Sequence, residues 1–221
     1  MHLVQPAYIV DCTWCSQYAE RMPRWEPDAV GRLQAAALEL FAEQGFERTT
    51  IAEITQRAGL TKRSFFNHFA DKREVLFGPV SESQREIVTR EITACPDDLP
   101  PLETVVYGLQ AAADAIFETR RTAVTRRREI LDANPDLQER ELRKRAALTE
   151  AIAGALRTRG IDSDTAFLSA HAGMVVQQTA MQRWTQSPEN RPLRAFLSDA
   201  LLSLRTIAAQ TTTQRGVPSE T

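Results

Sequence analysis

Apolar side chains recur at the three- and four-residue spacing of an α-helix almost everywhere after residue 27. No stretch alternates between apolar and polar positions as a half-buried strand does. Pro27 suits the first turn of a first helix, and Gly45 suits its left-handed end. One face of that helix is marked by Val30, Leu33, Ala37, Leu40 and Phe41. The pattern predicts an all-α protein.

Two short helices are predicted next. Thr50 is placed to cap a helix over 51–57, and Glu53, three residues later, completes a capping box. A turn that contains glycine separates this helix from a third one over about 61–69, which Thr61 caps. Two short helices joined by such a turn are typical of a helix-turn-helix.

The following segments predict a longer helical region. Asp71 is placed to cap a fourth helix that runs towards residue 92. The Gly78–Pro79 pair inside it should kink or split the helix, because proline lacks a backbone donor. Three prolines within 95–101 indicate a linker. Five more helices are indicated by apolar stripes over 102–117, 124–131, 135–160, 165–186 and 192–210.

These breaks divide the chain into four parts. We expect a flexible extension over 1–25, a three-helix helix-turn-helix domain over 26–72, a larger helical domain over 73–210 and a disordered tail over 211–221. The sequence leaves both Met1 and Met22 open as the start of the protein.

Charge and cysteine content narrow the function classes. Basic and acidic residues nearly cancel, at 27 and 29, so a surface that binds nucleic acid must be local. No apolar run approaches the ~20 residues that span a bilayer, and no signal peptide is evident, so we expect a cytoplasmic protein. Cys12 and Cys15 form a C-x-x-C pair, which leaves a metal or redox site open. Because the histidines show no matching spacing, we expect neither a metal nor a cofactor.

Basic residues cluster at the predicted helix-turn-helix. Between Arg57 and Arg73 there are five basic residues and one acidic residue, which gives a local charge of +4. The second helix of such a motif enters the major groove by its N-terminal end, and lysine, arginine and asparagine all bond to base edges there. Its exposed residues would be Lys62, Arg63, Ser64 and Asn67. The free amides and hydroxyls at Thr50 and Thr61 are candidates for phosphate contacts. Spacing alone leaves open the alternative that these are solvated helix ends.

Residues 28–77, and above all the run TTIAEITQRAGLTKRSFFNHFADKREVLF, resemble the N-terminal domain of the TetR family of bacterial regulators. The resemblance implies that Thr50 and Thr61 face phosphates and that Lys72, at the start of the fourth helix, contacts the DNA backbone. It places Lys62, Arg63, Ser64 and Asn67 on the recognition surface.

The aromatic positions of the third helix follow the family pattern with one departure. Phe66 and His68 match positions that approach the DNA backbone, although Phe66 lacks the hydroxyl that a tyrosine there would offer. His68 has a structural histidine as its alternative interpretation. Phe65 and Phe69 are predicted to belong to the core.

The last two predicted helices carry more apolar surface than a single core-facing stripe requires. In the last helix the band comprises Leu193, Phe196, Leu197, Ala200, Leu201, Leu204 and Ile207. The helix before it is apolar around most of its circumference. Burial against both a core and a second subunit explains both helices, and family members pair through these two. We therefore expect a homodimer that presents two recognition helices to a pseudo-palindromic site. Two fully buried helices in a monomer are the alternative.

The region from RRTAVTRRREILDANPDLQERELRKRAALTEAIAGALRTRG onwards resembles a TetR subgroup that binds acyl-CoA-like ligands. This resemblance implies a pocket between the fifth and eighth helices, and for each apolar candidate taken singly plain core is the favoured alternative. The candidates are Val106, Leu109, Ala113, Phe117, Ile130, Leu148, Ile152, Phe167, Met174 and Val175, with His171 and Gln178 as polar anchors. Five arginines precede or lie in the sixth helix, and they would face either the anionic head group of the ligand or plain solvent. They are Arg120, Arg121, Arg126, Arg127 and Arg128.

The predicted function is a ligand-responsive transcriptional regulator, in the first instance a repressor that a small hydrophobic effector releases from operator DNA. Activation of transcription, or repression that needs a co-repressor, would use the same DNA-binding and effector-binding domains, so both remain alternatives. An acyl-processing enzyme is disfavoured because no nucleophile elbow, P-loop, dinucleotide fingerprint or H-E-x-x-H motif is found. An architectural DNA-binding protein would normally be more basic and would need no apolar effector half.

Overall fold

The computed structural model describes residues 28–214, with side chains up to residue 210. Every long element in that range is an α-helix, which confirms the predicted fold class. The described residues form nine α-helices, namely α1 (Ala29–Gln44), α2 (Ile51–Arg57), α3 (Lys62–His68), α4 (Gly78–Ala94), α5 (Pro101–Ala112), α6 (Arg121–Asp132), α7 (Pro135–Thr158), α8 (Ser163–Gln186) and α9 (Leu193–Gln214). Cys12 and Cys15, with the rest of the extension predicted over 1–25, lie outside the described residues. The backbone of α9 is helical to Gln214, so helix covers the first four residues of the tail predicted over 211–221, and the rest of that tail lies outside the described residues.

The first three helices enclose a small core of their own. Phe65 and Phe69 are fully buried, as predicted, and they pack with Leu33 and Ile54. The two phenyl rings lie 5.3 Å apart, centroid to centroid, in a tilted arrangement. This core fixes the angle between α2 and α3.

The predicted fourth helix begins later than expected. Asp71 does cap a helical turn, since its carboxylate accepts the Glu74 amide at 2.8 Å, but that turn is the 3₁₀ segment Arg73–Leu76. The α-helical part starts at Gly78, with Pro79 in its first turn. Proline suits that place because the first amides of a helix have no partner within it. The predicted break at Gly78–Pro79 therefore divides the segment into two elements.

The helices from α4 to α9 form a bundle in which α8 packs against α5, α7 and α9. Ile152 and Trp184 are buried in its core. Helices α5 and α8 approach closely at Gly173, where an added Cβ would lie 2.4 Å from Cγ1 of Val105. Helices α4 and α5 approach closely at Gly108, since a Cβ there would lie 2.9 Å from the Val88 carbonyl oxygen.

The end of α5 departs from α-helical geometry. Ala113–Phe117 forms a π-helical turn and Glu118–Arg120 a 3₁₀ turn before α6 begins. Glu118 accepts the backbone amide of Leu193 at 2.7 Å and so caps α9. Single π turns within helices are frequent at functional sites.

The two halves of the molecule share side chains at their junction. Ile130, Leu131 and Leu137, from α6 and α7, belong to the N-terminal core, which itself extends to Phe77. Glu74 accepts hydrogen bonds from Lys144, at 2.6 Å, and from Arg140. The boundary predicted at residue 72 therefore falls inside a shared core.

Candidate nucleic-acid interface

Helix α3 presents a polar face to solvent and an apolar face to the core. Thr61 caps it as predicted, because its hydroxyl accepts the Ser64 amide at 3.1 Å. Phe65 is buried, whereas Lys62, Arg63 and Asn67 are exposed and Ser64 is half-buried. These side chains occupy the N-terminal half of the helix and the turn after it, where a recognition helix contacts base edges.

Helix α2 begins with the predicted capping box. The Thr50 hydroxyl accepts the Glu53 amide at 3.2 Å, and the Glu53 carboxylate accepts the Thr50 amide at 2.7 Å. That backbone hydrogen bond, with a second bond from the Thr50 hydroxyl, lowers the pKa of Glu53. The capping box holds the start of α2 in place and leaves the Thr50 hydroxyl already hydrogen-bonded.

The turn between α2 and α3 has an anchor that spacing did not indicate. Arg32 of α1 donates from its guanidinium to the Ala58 carbonyl oxygen. Gly59 next to it has a φ of +66°, a left-handed conformation that favours glycine. No sequence signal joins positions 26 residues apart, so only the folded chain reveals this contact.

The cluster of five basic residues is divided between structure and solvent. Arg57 donates to Glu43 at 2.9 Å and reaches Glu39 at 3.4 Å, and the hydrogen bond to Glu43 raises the pKa of Arg57. Arg73 pairs with Asp136 at 3.0 Å. Two of the basic residues are therefore paired with carboxylates.

The other three basic residues of the cluster differ in their exposure and in their hydrogen-bond partners. Within the described part of the chain, the side chains of Lys62 and Arg63 have no hydrogen-bond or ion-pair partner. Lys72 is half-buried, and its ammonium donates to the carbonyl oxygens of Phe46, Glu47 and Thr49. Partial burial lowers the pKa of Lys72. The cations that face solvent on α3 are thus those predicted to contact bases.

The other two predicted DNA contacts are accessible. The side chain of Phe66 is 56% exposed and meets Phe65 edge to face, with 5.5 Å between ring centroids. His68 is exposed at the end of α3. Both rings extend the exposed face of α3 towards its C-terminal end.

The predicted effector pocket does not assemble as expected. Seven candidates do lie together in the core of the bundle, namely Val106, Leu109, Ala113, Phe117, Leu148, Ile152 and Met174. Ile130 belongs instead to the N-terminal core. The side chains of Phe167, His171, Val175 and Gln178 lie on the exposed side of α8. The last four were misplaced because α8 is apolar on both sides, and sequence cannot say which side faces the core.

Two surface clefts are present at helix junctions. One, of about 280 Å³, lies between α1 and the start of α6 and is lined in part by Leu38, Arg120 and Arg126. The other, of about 260 Å³, lies between α5 and α9 beside Val106 and Tyr107. Of the predicted lining residues, Val106 alone contributes to these two clefts.

The predicted arginine cluster is largely committed to structure. Arg121 donates to the Glu189 carbonyl at 2.7 Å and to two further carbonyls at the end of α8. Arg127 donates to the Leu76 carbonyl at 2.7 Å and pairs with Glu141. Arg128 lies 3.8 Å from Asp132. Arg120 and Arg126 line the cleft beside α1.

Large apolar side chains are exposed on α8 and on α9. The exposed fractions are 53% for Phe167, 65% for Leu168, 55% for Val175 and 65% for Leu202. Large exposed apolar patches usually mark interaction sites. None of the described helices is long and apolar enough to cross a membrane.

A capped helix-turn-helix joined to a larger helical bundle defines the class of two-domain DNA-binding regulators. Residues 33–77 match the family model described as bacterial regulatory proteins of the tetR family. Over these residues the chain is similar to the DNA-binding part of that family.

Known proteins are similar to longer parts of the chain. The HTH-type transcriptional regulator TcmR of Streptomyces glaucescens is 28% identical over 137 residues, which are 59% of this chain and 60% of TcmR. The chain thus spans about three fifths of that relative. A TetR-family regulator from Syntrophomonas wolfei has a TM-score of 0.58 at 16% identity, over 82% of this chain and 95% of its own. The SmeT–triclosan complex has a TM-score of 0.51 at 21% identity, over 79% and 90%. These two structures share the fold.

Proposed function

We propose that this protein is a cytoplasmic, homodimeric transcriptional repressor that binds a pseudo-palindromic operator and is released from it by a small hydrophobic, acyl-CoA-like effector. Activation or co-repression would use the same surfaces with the opposite sign of coupling between effector and DNA.

The observation that carries the proposal is the exposed face of α3. Lys62, Arg63 and Asn67 are exposed there, while the surrounding basic residues are paired or hydrogen-bonded. A cation without a protein partner is available to the acceptors of guanine, and an exposed asparagine amide can pair with adenine. The capped ends of α2 and α3 hold these side chains on a fixed backbone.

Dimerisation is supported by the outer face of α8 and α9. Phe167, Leu168 and Val175 lie on α8 and Leu202 on α9, and each is more than half exposed. Burial of apolar area is worth about 25 cal/mol per Å². An isologous contact through these side chains would bury apolar area of both subunits and give the protein two α3 helices related by a two-fold axis.

The effector is proposed to enter the bundle core between α5 and α8. Ala113 and Phe117, two of the predicted lining residues, belong to the π-helical turn of α5. Because the seven core candidates pack against one another, a ligand there must separate these helices. Its binding energy would thereby favour a second conformation of the bundle.

Helix α6 supplies a path from that core to the DNA-binding domain. At its start Arg121 binds the carbonyls that end α8, and near its end Ile130 is buried in the N-terminal core. Arg127, between them, donates to the Leu76 carbonyl oxygen. A shift of α6 therefore moves the N-terminal domain relative to α8, and an effector that binds the shifted state better weakens DNA binding.

The test is fluorescence anisotropy of the purified protein on DNA from upstream of its own gene, against scrambled DNA at one salt concentration. We expect a preference for the upstream DNA, which lauroyl-CoA removes. Lys62→Ala and Arg63→Ala should each reduce the preference by about 1–3 kcal/mol, since each removes a base contact. Arg85→Ala, on the exposed side of α4, is the matched control and should leave it unchanged.

Other outcomes separate the parts of the proposal. If lauroyl-CoA strengthens specific binding to the DNA, the protein is a regulator that needs a co-repressor and is not a repressor released by its effector. Specific binding that lauroyl-CoA does not affect would reject that effector class. If both α3 variants keep the full preference, α3 is not the recognition helix.

A further inference from the structure

The side-chain amide of Gln84, on α4, is buried without a partner. Among the described residues, its Nε2 is the one buried side-chain nitrogen or oxygen atom that has no hydrogen-bond partner. An amide nitrogen carries two N–H donors. A buried donor that has given up water and gained no acceptor raises the free energy of the folded protein. Because such groups are rare in native proteins, this one calls for a specific explanation.

Helical spacing places Gln84 on the side of α4 that faces the bundle core. Val80, one turn before it, and Val88, one turn after it, both pack in that core. Val88 faces α5, because its carbonyl oxygen would lie 2.9 Å from a Cβ added at Gly108. Helices α4 and α5 pack along each other and are joined by a short loop, so they run antiparallel. Gln84 is therefore level with residues 112–113 of α5, where the π-helical turn begins.

Helix α7 forms the other side of this region. It binds the segment before α4 through Lys144 and the end of α4 through Arg159, so α4 and α7 run in the same direction. The turn of α7 that holds Leu148 and Ile152, both buried in the core, is therefore level with Gln84. The amide enters the part of the core in which the effector is proposed to bind.

We propose that Gln84 is a specificity-determining residue for the effector: its Nε2 donates a hydrogen bond to a carbonyl oxygen that the effector brings into the core. The inference rests on the proposed function, since it needs an effector in this core. Pockets for apolar ligands contain a few polar groups that fix the orientation of the ligand. The thioester carbonyl of an acyl-CoA is an acceptor of the required kind, next to an apolar chain.

The unpaired donor also favours the ligand-bound conformation. It has no acceptor in the free protein and gains one from the ligand, so the hydrogen bond is a difference between the two states. Only such a difference shifts a conformational equilibrium. The two polar anchors predicted from the sequence do not offer it: His171 and Gln178 are exposed on α8, and Gln178 already accepts a hydrogen bond from Arg145.

The experiment compares lauroyl-CoA with S-dodecyl-CoA, a thioether of the same chain length that lacks the carbonyl oxygen. Calorimetry measures the binding of both to the full chain, as wild type and as Gln84→Met. Methionine matches the length of glutamine and has no donor. We expect the wild type to bind lauroyl-CoA about tenfold more tightly than the thioether, and Gln84→Met to bind the two within about twofold of each other. A wild type without this preference, or a variant that keeps it, overturns the proposal.

Gln186→Met is the matched control, because it makes the same change at an exposed position at the end of α8. It should keep the wild-type preference for lauroyl-CoA. If Gln186→Met loses the preference to the same extent as Gln84→Met, the effect does not come from a hydrogen bond in the core, and the proposal is wrong.

The free protein provides a measurement that needs no effector. Gln84→Met replaces an unpaired donor by apolar atoms, so without ligand it should melt about 2–6 °C above the wild type. Gln186→Met should melt within about 1 °C of the wild type. If Gln84→Met melts no higher than the wild type, the amide is already satisfied in the free protein, for instance by a buried water, and the proposal fails.

A further measurement works on the wild type, in case Gln84→Met does not fold. The side-chain amide of Gln84 is followed by ¹⁵N NMR during titration with 2-octanone and with 2-methyl-1-octene, which differ only in the carbonyl oxygen. We expect the ketone to move the amide protons downfield and the alkene to leave them in place. Equal responses, or none, contradict the proposal. If neither CoA compound binds, the proposed effector class is rejected, and the response to the ketone still decides the role of Gln84.

Discussion

Single arginine side chains bind backbone carbonyl oxygens at two helix ends of the described structure. Arg159, at the end of α7, donates to the carbonyl oxygens of Ile92 at 3.1 Å and Pro96 at 3.0 Å, where α4 ends. Arg121 does the same for α8. The last carbonyls of a helix lack partners within it and carry partial negative charge, so a cation there both bonds and stabilises. Arginine serves this purpose because its guanidinium has five donors.

Asp71 provides a test at the residue scale. Partial burial opposes its ionisation, but the Glu74 amide and the Arg140 guanidinium outweigh it, so the pKa of Asp71 lies below its ordinary value of 3.8. Because the folded-state pKa is the lower one, the stabilisation is present above the ordinary value and is lost as the pH falls through the folded-state pKa. Asp71→Asn should lower the free energy of unfolding at pH ~7 by about 1 kcal/mol.

Urea unfolding of both proteins between pH ~7 and ~3 measures this effect, and the difference should narrow below about pH 4. Asp98→Asn, in the exposed α4–α5 loop, should change stability by less than about 0.5 kcal/mol. Because asparagine caps a helix about as well as aspartate, a constant difference across the pH range would show that ionisation of Asp71 does not contribute to stability.

At the scale of the elements, glycines decide how closely the bundle helices approach. Gly108 and Gly173 lie on neighbouring helices, and each meets its neighbour where a Cβ would overlap existing atoms. Helical spacing places both positions on apolar faces, but the spacing does not show which neighbour they meet. The absence of a side chain there permits backbone contact that any larger residue would prevent.

Gly173→Ala should therefore lower the free energy of unfolding by about 1–3 kcal/mol, because its Cβ would be forced against Val105. Gly154→Ala in α7 is the matched control, since its Cβ would meet only the Arg157 side chain at 3.7 Å. It should raise stability by about 0.5–1 kcal/mol, as expected for glycine replaced in a helix interior. Urea denaturation distinguishes the two. Equal changes in the free energy of unfolding of the two variants would mean that α8 packs less closely on α5 than the structure indicates.

At the scale of the whole molecule, the arrangement of α6 and α8 joins three surfaces. The outer side of α8 is apolar and exposed, its inner side packs in the bundle core, and its end is bound by Arg121 of α6. Helix α6 then contributes Ile130 to the DNA-binding domain. The proposed dimer interface, the proposed effector core and the proposed recognition helix are thus connected through two helices.

Val175→Glu tests the proposed interface, because it places a charge in the middle of the exposed face of α8. Sedimentation should show a monomer, and operator affinity should fall by at least about tenfold, since two half-sites can no longer be bound together. Leu142→Glu, at a position of α7 that is 62% exposed, should remain dimeric. If Val175→Glu is still a dimer with wild-type affinity, the subunits associate through another surface.

Local patterns predicted the elements and their ends with good accuracy. The structure contains four predicted local features: the capping box at Thr50, the cap at Thr61, the break at Gly78–Pro79 and the five helices after the linker. These features depend on residues within one or two turns of each other, so their physical causes are contained in the sequence itself. The family resemblance carried by residues 28–77 has the same local character.

Only the tertiary structure decided the pairing of distant residues. The side of α8 that faces the core and the assignment of Ile130 to the N-terminal core depend on contacts between distant segments. So do the partners of Arg57, 14 and 18 residues away, and those of Arg121, 63 to 68 residues away. An apolar side chain packs equally well in a core, a pocket or an interface, and a cation binds a carbonyl, a carboxylate or a phosphate. The sequence by itself therefore determined which side chains could take part in recognition, and the fold determined which of them are left facing solvent.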